Sequence, residues 1–503
     1  MLQTLFIDGA PLSIMLCIVS IVLIFMLMRH GTSGAFKDKS GRKMKQVRGD
    51  TRVRRFSHGR ELSDEGYALG QGDPYIIRNG GRKEVVLCKP QHLREFFTVD
   101  GKDHWKAPDG NMGYFFHRLL GECVGANSRH EWRKIRSLFD PIYSSNAMSK
   151  LTHIFRGEVQ DWLVCLSSHS STQTQRRAFF TVDMSEQCAR LPLKLVASTL
   201  YGDALSDESF ADLMELARIR EELGSNAFLG LHMISKIYAL LPTRANRQLD
   251  RYTTGFRELN LQMVATAEQR NLECPLMHIL REIHATGCVS MKQFLHTIDE
   301  ILFENLDVAS SALSYLLLNV ASDATAQDDL RREMQHVREH DTAEDAYLAR
   351  SDTFLEHCCA ESRRLCPPIC FTFCERSPSD KLIGGFLVPA NTDVTTDWKR
   401  ISIDSPIWSV SVDGGHKVDG YDFYPARYSQ LSKGDCRYSL VGYGAGVRKC
   451  LGQHFASLLM RIVLLAVVSK YRISTEVRPW RLGFRRDKFV LTPRSHELVF
   501  EAI

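Results

Sequence analysis

The stretch Val441-Gly-Tyr-Gly-Ala-Gly-Val-Arg-Lys-Cys450-Leu-Gly-Gln-His constrains this chain more than any other. Glycines at 442, 444 and 446 let the backbone turn tightly and come close to a flat ligand. Cys450 falls where an apolar helical pattern begins, running to about residue 471. A helix N-terminus offers free N–H groups and a positive dipole end, and both stabilise a thiolate. A thiolate held in this way is a soft, electron-rich metal ligand. A buried cysteine beside a glycine turn would share the pattern. A phosphate-binding loop would need Lys-Ser/Thr after the glycines, and none follows.

The composition around this loop is that of a globular chain. With 503 residues, 44% hydrophobic and 24% charged, it is neither disordered, nor collagen-like, nor a multi-span membrane protein. The net charge of +5 is unevenly spread. Residues 1–28 hold one charge, Asp8. Residues 29–60 hold eleven basic and two acidic residues, a net of +9, which leaves −3 on residues 61–503. The basicity is therefore local, and no nucleic-acid partner is implied.

Pro11 to Met28 is an 18-residue run without a charge, about the minimum for crossing a hydrocarbon core. No Lys or Arg precedes it and no small-residue cleavage site directly follows, unlike a signal peptide. The basic residues after it favour a cytosolic body. The expected organisation is an anchor over 1–28, a basic stalk over 29–60 lying against anionic headgroups, and one catalytic unit over 61–503. The 14 cysteines are scattered, as reduced thiols are. Cys366, Cys370 and Cys374 match no common zinc spacing and read as packing residues.

Along the body, residues 72–90 read as a β-hairpin turning at Asn79-Gly80-Gly81. Helical periodicity covers 115–139, 150–166, 191–201, 207–222, 245–270, 291–320, 325–340 and 352–365. Ser167–Gln175 reads as a surface loop. Short strands and turns follow Pro367 up to about 440, before the final helix. The expected fold is mainly α with a smaller β portion.

The cysteine loop resembles the haem-binding loop of the cytochromes P450, Phe-x-x-Gly-x-Arg-x-Cys-x-Gly. Tyr443, Gly446, Arg448, Cys450 and Gly452 match it, with Tyr443 at the aromatic place. Glu361-Ser-Arg-Arg364 resembles the family's Glu-x-x-Arg, and Phe423-Tyr-Pro425-Ala-Arg427 its Phe-x-Pro-x-Arg. Trp132-Arg-Lys-Ile-Arg136 resembles its Trp-x-x-x-Arg. The resemblance implies the cytochrome P450 fold behind an N-terminal transmembrane helix, in the manner of fungal microsomal members. It implies heme b ligated by Cys450, a propionate met by Trp132, Arg136 and Arg448, and a structural network of Glu361, Arg364 and Arg427. It further implies a monooxygenase of the endoplasmic reticulum membrane. This would oxidise a lipophilic small molecule with dioxygen and electrons from an NADPH-cytochrome P450 reductase. Lys433, Arg437 and Lys449 are the expected basic face for that partner.

Residues 291–320 should cross above the haem. The family usually carries an acid–alcohol pair there, but Asn305-Leu-Asp-Val-Ala-Ser310 stands in its place. The best register sets Val308 at the acid and Ala309 at the threonine, so Ser310 or Asp307 is expected to carry the proton path. The substrate's own hydroxyl is an alternative. Ala309 also leaves open an isomerase, dehydratase or coupling enzyme, and a haem-binding sensor is the other rival. Phe371 and Thr372 are expected in the substrate pocket. The apolar stretch 228–242 is expected to form a lip dipping into lipid, or else a buried helix.

Overall fold

A computed structural model describes residues 36–168, 179–230, 235–340, 343–412, 415–479, 483–486, 488, 490–494 and 496–503. The expected anchor, residues 11–28, lies outside them, as does most of the 167–175 segment. Helices dominate, and the strands form small sheets.

The expected hairpin is present as β1 (Tyr75–Asn79) and β2 (Arg82–Leu87), paired antiparallel with Asn79 opposite Arg82. Gly80, at φ +60°, makes the turn. These strands join β3 (Trp105–Lys106), β5 (Glu375–Arg376) and β8 (Asp393–Thr396) in a five-stranded sheet ordered β1-β2-β8-β5-β3. Between β3 and β5 in the chain comes β4 (Phe179–Asp183). Between β5 and β8 comes the small hairpin β6 (Lys381–Ile383) and β7 (Phe386–Val388).

Seven helices matter for the site: α1 (Arg129–Phe139), α2 (Asp207–Leu229), α3 (Arg244–Arg270), α4 (Met291–Glu304), α5 (Ser310–Ala321), α6 (Phe354–Leu365) and α7 (Gln453–Lys470). The segment expected as one helix over 115–139 is two, Tyr114–Leu120 and α1. The chain turns at Gly121 and Gly125 between them. Ser290 starts α4 with a capping box: its hydroxyl accepts from the Gln293 amide at 3.1 Å, and Gln293 accepts from the Ser290 amide at 2.9 Å. Buried faces of α4, α5, α6 and α7 share one large apolar core. The spans Met291–Ala321 and Gln453–Lys470 are long and apolar enough to cross a membrane, yet 67% and 56% of their most apolar windows are buried inside the protein. They are core helices.

Asn305–Ala309, between α4 and α5, is a single π turn. Residues 300, 304, 308, 312 and 316 all face one cavity. Steps of four drift about 40° each in an α-helix of 3.6 residues per turn. One wider turn absorbs part of that drift and keeps the row on the same side.

One boundary differs from the sequence reading. Residues 36–60 belong to the folded body. The Met44 and Val47 side chains are buried, and Gln46 bridges Ile76 of β1. Arg52 is fully buried and donates to the carbonyls of Met112 (3.0 Å), Ala227 (3.2 Å) and Gly230 (3.0 Å). Arg55 pairs with buried Glu84 at 2.8 Å. Charge density alone suggested a stalk, because it cannot distinguish a solvated arginine from one that ties chain segments together.

Candidate active site

The Cys450 amide donates to the Tyr443 carbonyl at 2.9 Å and closes the glycine loop, and the Gly444 amide donates to Val441 at 2.8 Å. Gly444 and Gly446 sit at φ +80° and +66°, where an L side chain is strained. A Cβ on Gly446 would also stand 3.1 Å from the Phe97 ring. Gly446 shapes the turn without lining the cavity, whereas Gly442, Gly444 and Gly452 line it.

The loop presents Cys450 to a cavity of about 390 Å³. Across from it pass α4, the π turn and α5, which contribute Glu304, Val308, Ala309 and Ala312. The thiol is accessible only because it faces this space. Burial pushes its pKa up to about 12, and the carboxylates of Glu304 and Glu300 add to this. The Gly452 amide and Arg136 pull the other way. Low dielectric thus opposes the loop's donors, and a metal cation on the sulfur would favour the thiolate.

Trp132 and Arg136 of α1 meet Arg448 at one side of the cavity. The Arg448 guanidinium lies 4.6 Å from the Trp132 ring centre and that of Arg136 5.7 Å from it. Arg448 Nη2 donates to the carbonyls of Val124 (3.3 Å) and Gly125 (3.1 Å), while its buried Nη1 has no partner among the described residues. Burial lowers its pKa to about 10. Arg136 donates to Asp140 at 2.7 Å and to the Lys449 carbonyl at 3.1 Å. A soft sulfur donor, a mostly apolar space and an unspent cationic donor among its lining residues fit an iron porphyrin with its carboxylates. Tyr443 lines the cavity with its ring under the Arg363 guanidinium (4.8 Å), and its hydroxyl bonds Ser457 at 3.1 Å.

Glu361, Arg364 and Arg427 meet in full burial. Arg364 grips both Glu361 oxygens at 2.8 Å, and Arg427 Nε donates to Glu361 Oε1 at 2.8 Å. The Tyr424 amide adds a fourth donor at 3.0 Å. The remaining guanidinium donors reach the carbonyls of Ser402, Trp408, Asp419, Gly420 and Asp422. Burial alone would raise the Glu361 pKa, but the two arginines outweigh it and hold it below the ordinary range. This network joins α6 to the segment leading into the cysteine loop.

On the long helix, Asp307 and Ala309 face the cavity and Ser310 does not. The Ser310 hydroxyl donates to the carbonyls of Asn305 (3.2 Å) and Ala189 (3.5 Å). Its place as a proton donor at the cavity is withdrawn, because the π turn rotates it onto the neighbouring helix Arg190–Tyr201. The neighbouring Ser311 is likewise turned away, its hydroxyl donating to the Leu491 carbonyl at 2.8 Å. Burial raises the Asp307 pKa to about 6, and Lys488 stands 3.6 Å from it.

Thr372 lines the cavity, but its hydroxyl accepts from the Thr396 amide at 3.0 Å. Phe371 packs instead with Val47, Tyr75 and Leu491 in a separate core, and Phe373 takes the cavity position. The segment is irregular, so strand alternation could not settle which ring points inward. Sequence reasoning also missed Arg220, from α2, and Phe116, from the helix before α1. Neither carries a motif; only the fold brings them to the cavity.

Comparison with known proteins agrees with this geometry. The family model described as Cytochrome P450 matches residues 67–500. The chain is 32% identical to the cytochrome P450 monooxygenase lepD of Aspergillus flavus, over 91% of this chain and 89% of that one. It is 29% identical to the cytochrome P450 monooxygenase apdB of Emericella nidulans over 91% of each chain. It is 31% identical to the cytochrome P450 monooxygenase gliC of Aspergillus fumigatus over 84% of this chain and 80% of that one. A mainly helical body, a cysteine loop facing a cavity, and this match over most of the length lead to one conclusion: the chain belongs to the cytochrome P450 family of haem-thiolate oxidoreductases.

Proposed function

We propose that this protein is a membrane-anchored monooxygenase that inserts oxygen into a lipophilic secondary metabolite. The observation that carries the reading is the Cys450 thiol, held by the glycine loop against a cavity bounded opposite by the π turn. Bound there, haem b would supply the dioxygen-activating chemistry. Cys450 would ligate its iron, and Arg448, Arg136 and Trp132 would hold its carboxylates, a role that the spare Arg448 Nη1 supports. Asp307 holds the proton that the cavity needs, since its carboxyl faces inward and burial keeps its proton affinity high. Aromatic side chains exclude water from the opposite wall.

Residues 1–28 form the anchor in the endoplasmic reticulum membrane, and the cytosolic body begins before residue 60. Exposed Ile237, Leu240 and Leu241 support a membrane-facing lip beside α2 and α3. An NADPH-cytochrome P450 reductase docks on the side of Arg437 and Lys449. Ala309 favours one rival, a rearranging or coupling enzyme that inserts no oxygen. Turnover without dioxygen would establish that rival.

The test is the spectrum of the reduced, carbon monoxide-bound protein. A thiolate-type Soret band, lost in Cys450→Ala, is expected. A wild-type protein that binds haem without that band overturns the reading.

A further inference from the structure

Four carboxylates line the cavity: Glu300, Glu304, Asp307 and Glu375. Three have partners. Glu300 accepts from the Gly125 amide at 2.9 Å, Glu375 from Lys106 at 2.7 Å, and Asp307 lies 3.6 Å from the Lys488 ammonium. Glu304 alone has no hydrogen bond or ion pair among the described residues. Arg220, whose charge acts on it, is already committed through Nε to Asp299 at 2.7 Å. Glu304 is exposed to the cavity space, yet the protein crowding around it and Glu300 beside it raise its pKa to about 8. A carboxyl that faces a cavity with no protein partner is left to bond with whatever fills that space. The accessible part of Glu304 opens into the cavity.

An apolar wall of mutually tilted rings completes the setting. The rings of Phe116, Phe228 and Phe373 all line the cavity. Their centres are 5.7 Å apart for Phe116 and Phe228, 6.4 Å for Phe116 and Phe373, and 6.1 Å for Phe228 and Phe373. They come from three separate segments of the chain and present ring surface to whatever enters.

We propose that Glu304 anchors a substrate nitrogen that carries hydrogen, the rest of the substrate being an apolar body packed against the tilted rings of Phe116, Phe228 and Phe373. The Glu304 oxygen accepts the N–H bond. A hydrocarbon of the same shape leaves the carboxyl unpartnered and binds weakly. A proton-delivery role for Glu304 would leave binding without electrons indifferent to this group. The inference rests on the haem-thiolate reading and narrows its substrate to nitrogen compounds.

The experiment measures calorimetric affinity on the full-length, haem-loaded protein, reduced and carbon monoxide-bound so that no probe nitrogen reaches the iron. Four probes share one shape: 4-phenylpiperidine, 5-phenyl-2-piperidone, its N-methyl derivative and 4-phenylcyclohexanone. At least one N–H probe is expected to bind about tenfold or more tightly than the last two. The arm that does so tells a cationic amine from a neutral amide. Glu304→Leu should abolish the preference and leave the 4-phenylcyclohexanone affinity within about twofold. Equal affinities across the four probes, or a preference that survives in Glu304→Leu, overturns the proposal. The thiolate-type Soret band of the same samples separates that failure from a failure of the haem-thiolate reading.

Discussion

Replacing Glu361 by alanine leaves two fully buried arginines facing each other without their shared anion. Glu361 accepts three guanidinium bonds and one backbone bond, all between 2.8 and 3.0 Å. Removing one partner from such a group typically costs about 3–5 kcal/mol. Unfolding entropy runs at about 2.1 cal/mol/K per residue, so roughly 430 family-matched residues give about 0.9 kcal/mol/K. The expected fall in melting temperature is then about 3–5 °C by circular dichroism. Arg350 and Asp352, an exposed pair 2.9 Å apart, serve as the control, and Asp352→Ala should move the midpoint by less than about 1 °C. The network also carries a pH signature. Because the arginines hold the Glu361 pKa below its ordinary value, its contribution is complete above that value. It is lost as pH falls through the lower native value. Glu361→Gln should therefore flatten the acid limb of the stability curve. A Glu361→Ala midpoint within 1 °C of wild type, with an unchanged acid limb, would refute the assignment of the network as the clamp between α6 and the cysteine loop.

Ser310→Ala removes two bonds to backbone carbonyls and should cost about 0.5–1.5 kcal/mol of stability. Product formed per NADPH consumed should not change. Asp307→Asn should lower that ratio at least about tenfold while substrate-induced spectral changes persist; an unchanged ratio removes Asp307 from the proton path. Gly446→Ala, at φ +66° and against Phe97, should cost about 1–2 kcal/mol and lower the temperature at which haem is released, read from the Soret absorbance. Burial raises the Glu304 pKa from about 4.5 to about 8, so the folded state keeps a proton that the unfolded chain has released. Stability should fall as pH rises between those values, and Glu304→Gln should reduce that slope in denaturant titrations.

Two kinds of feature were legible in the sequence. The cysteine loop and the Glu361–Arg364–Arg427 set are defined by residue type at short spacing, and spacing survives folding. Several helix extents, such as 245–270 and 352–365, followed from apolar periodicity, which burial enforces, whereas the pattern over 115–139 hid a break between two helices. What could not be read depends on choices that leave no mark in residue type. The π turn is a hydrogen-bonding choice over five residues, and it decides that Ser310 and Ser311 leave the cavity while Ala312 stays. Phe371 and Phe373 are chemically alike, and an irregular backbone selects between them. Arg52 looks like one more basic residue until three carbonyls from distant segments converge on it.

The π turn also works as a phase shifter between two halves of one helix. Before it, the cavity-facing row carries Glu300 and Glu304; after it, the row carries Ala312 and Leu316. Each half can thus change its inward chemistry without re-registering the other's packing. Losing one residue between 305 and 309 would shift every later side chain by one position, about 100°, and bring Ser310 and Leu313 to the cavity-facing places that Ala309 and Ala312 now hold. A deletion there should therefore be far more damaging than a substitution at any one of the five positions.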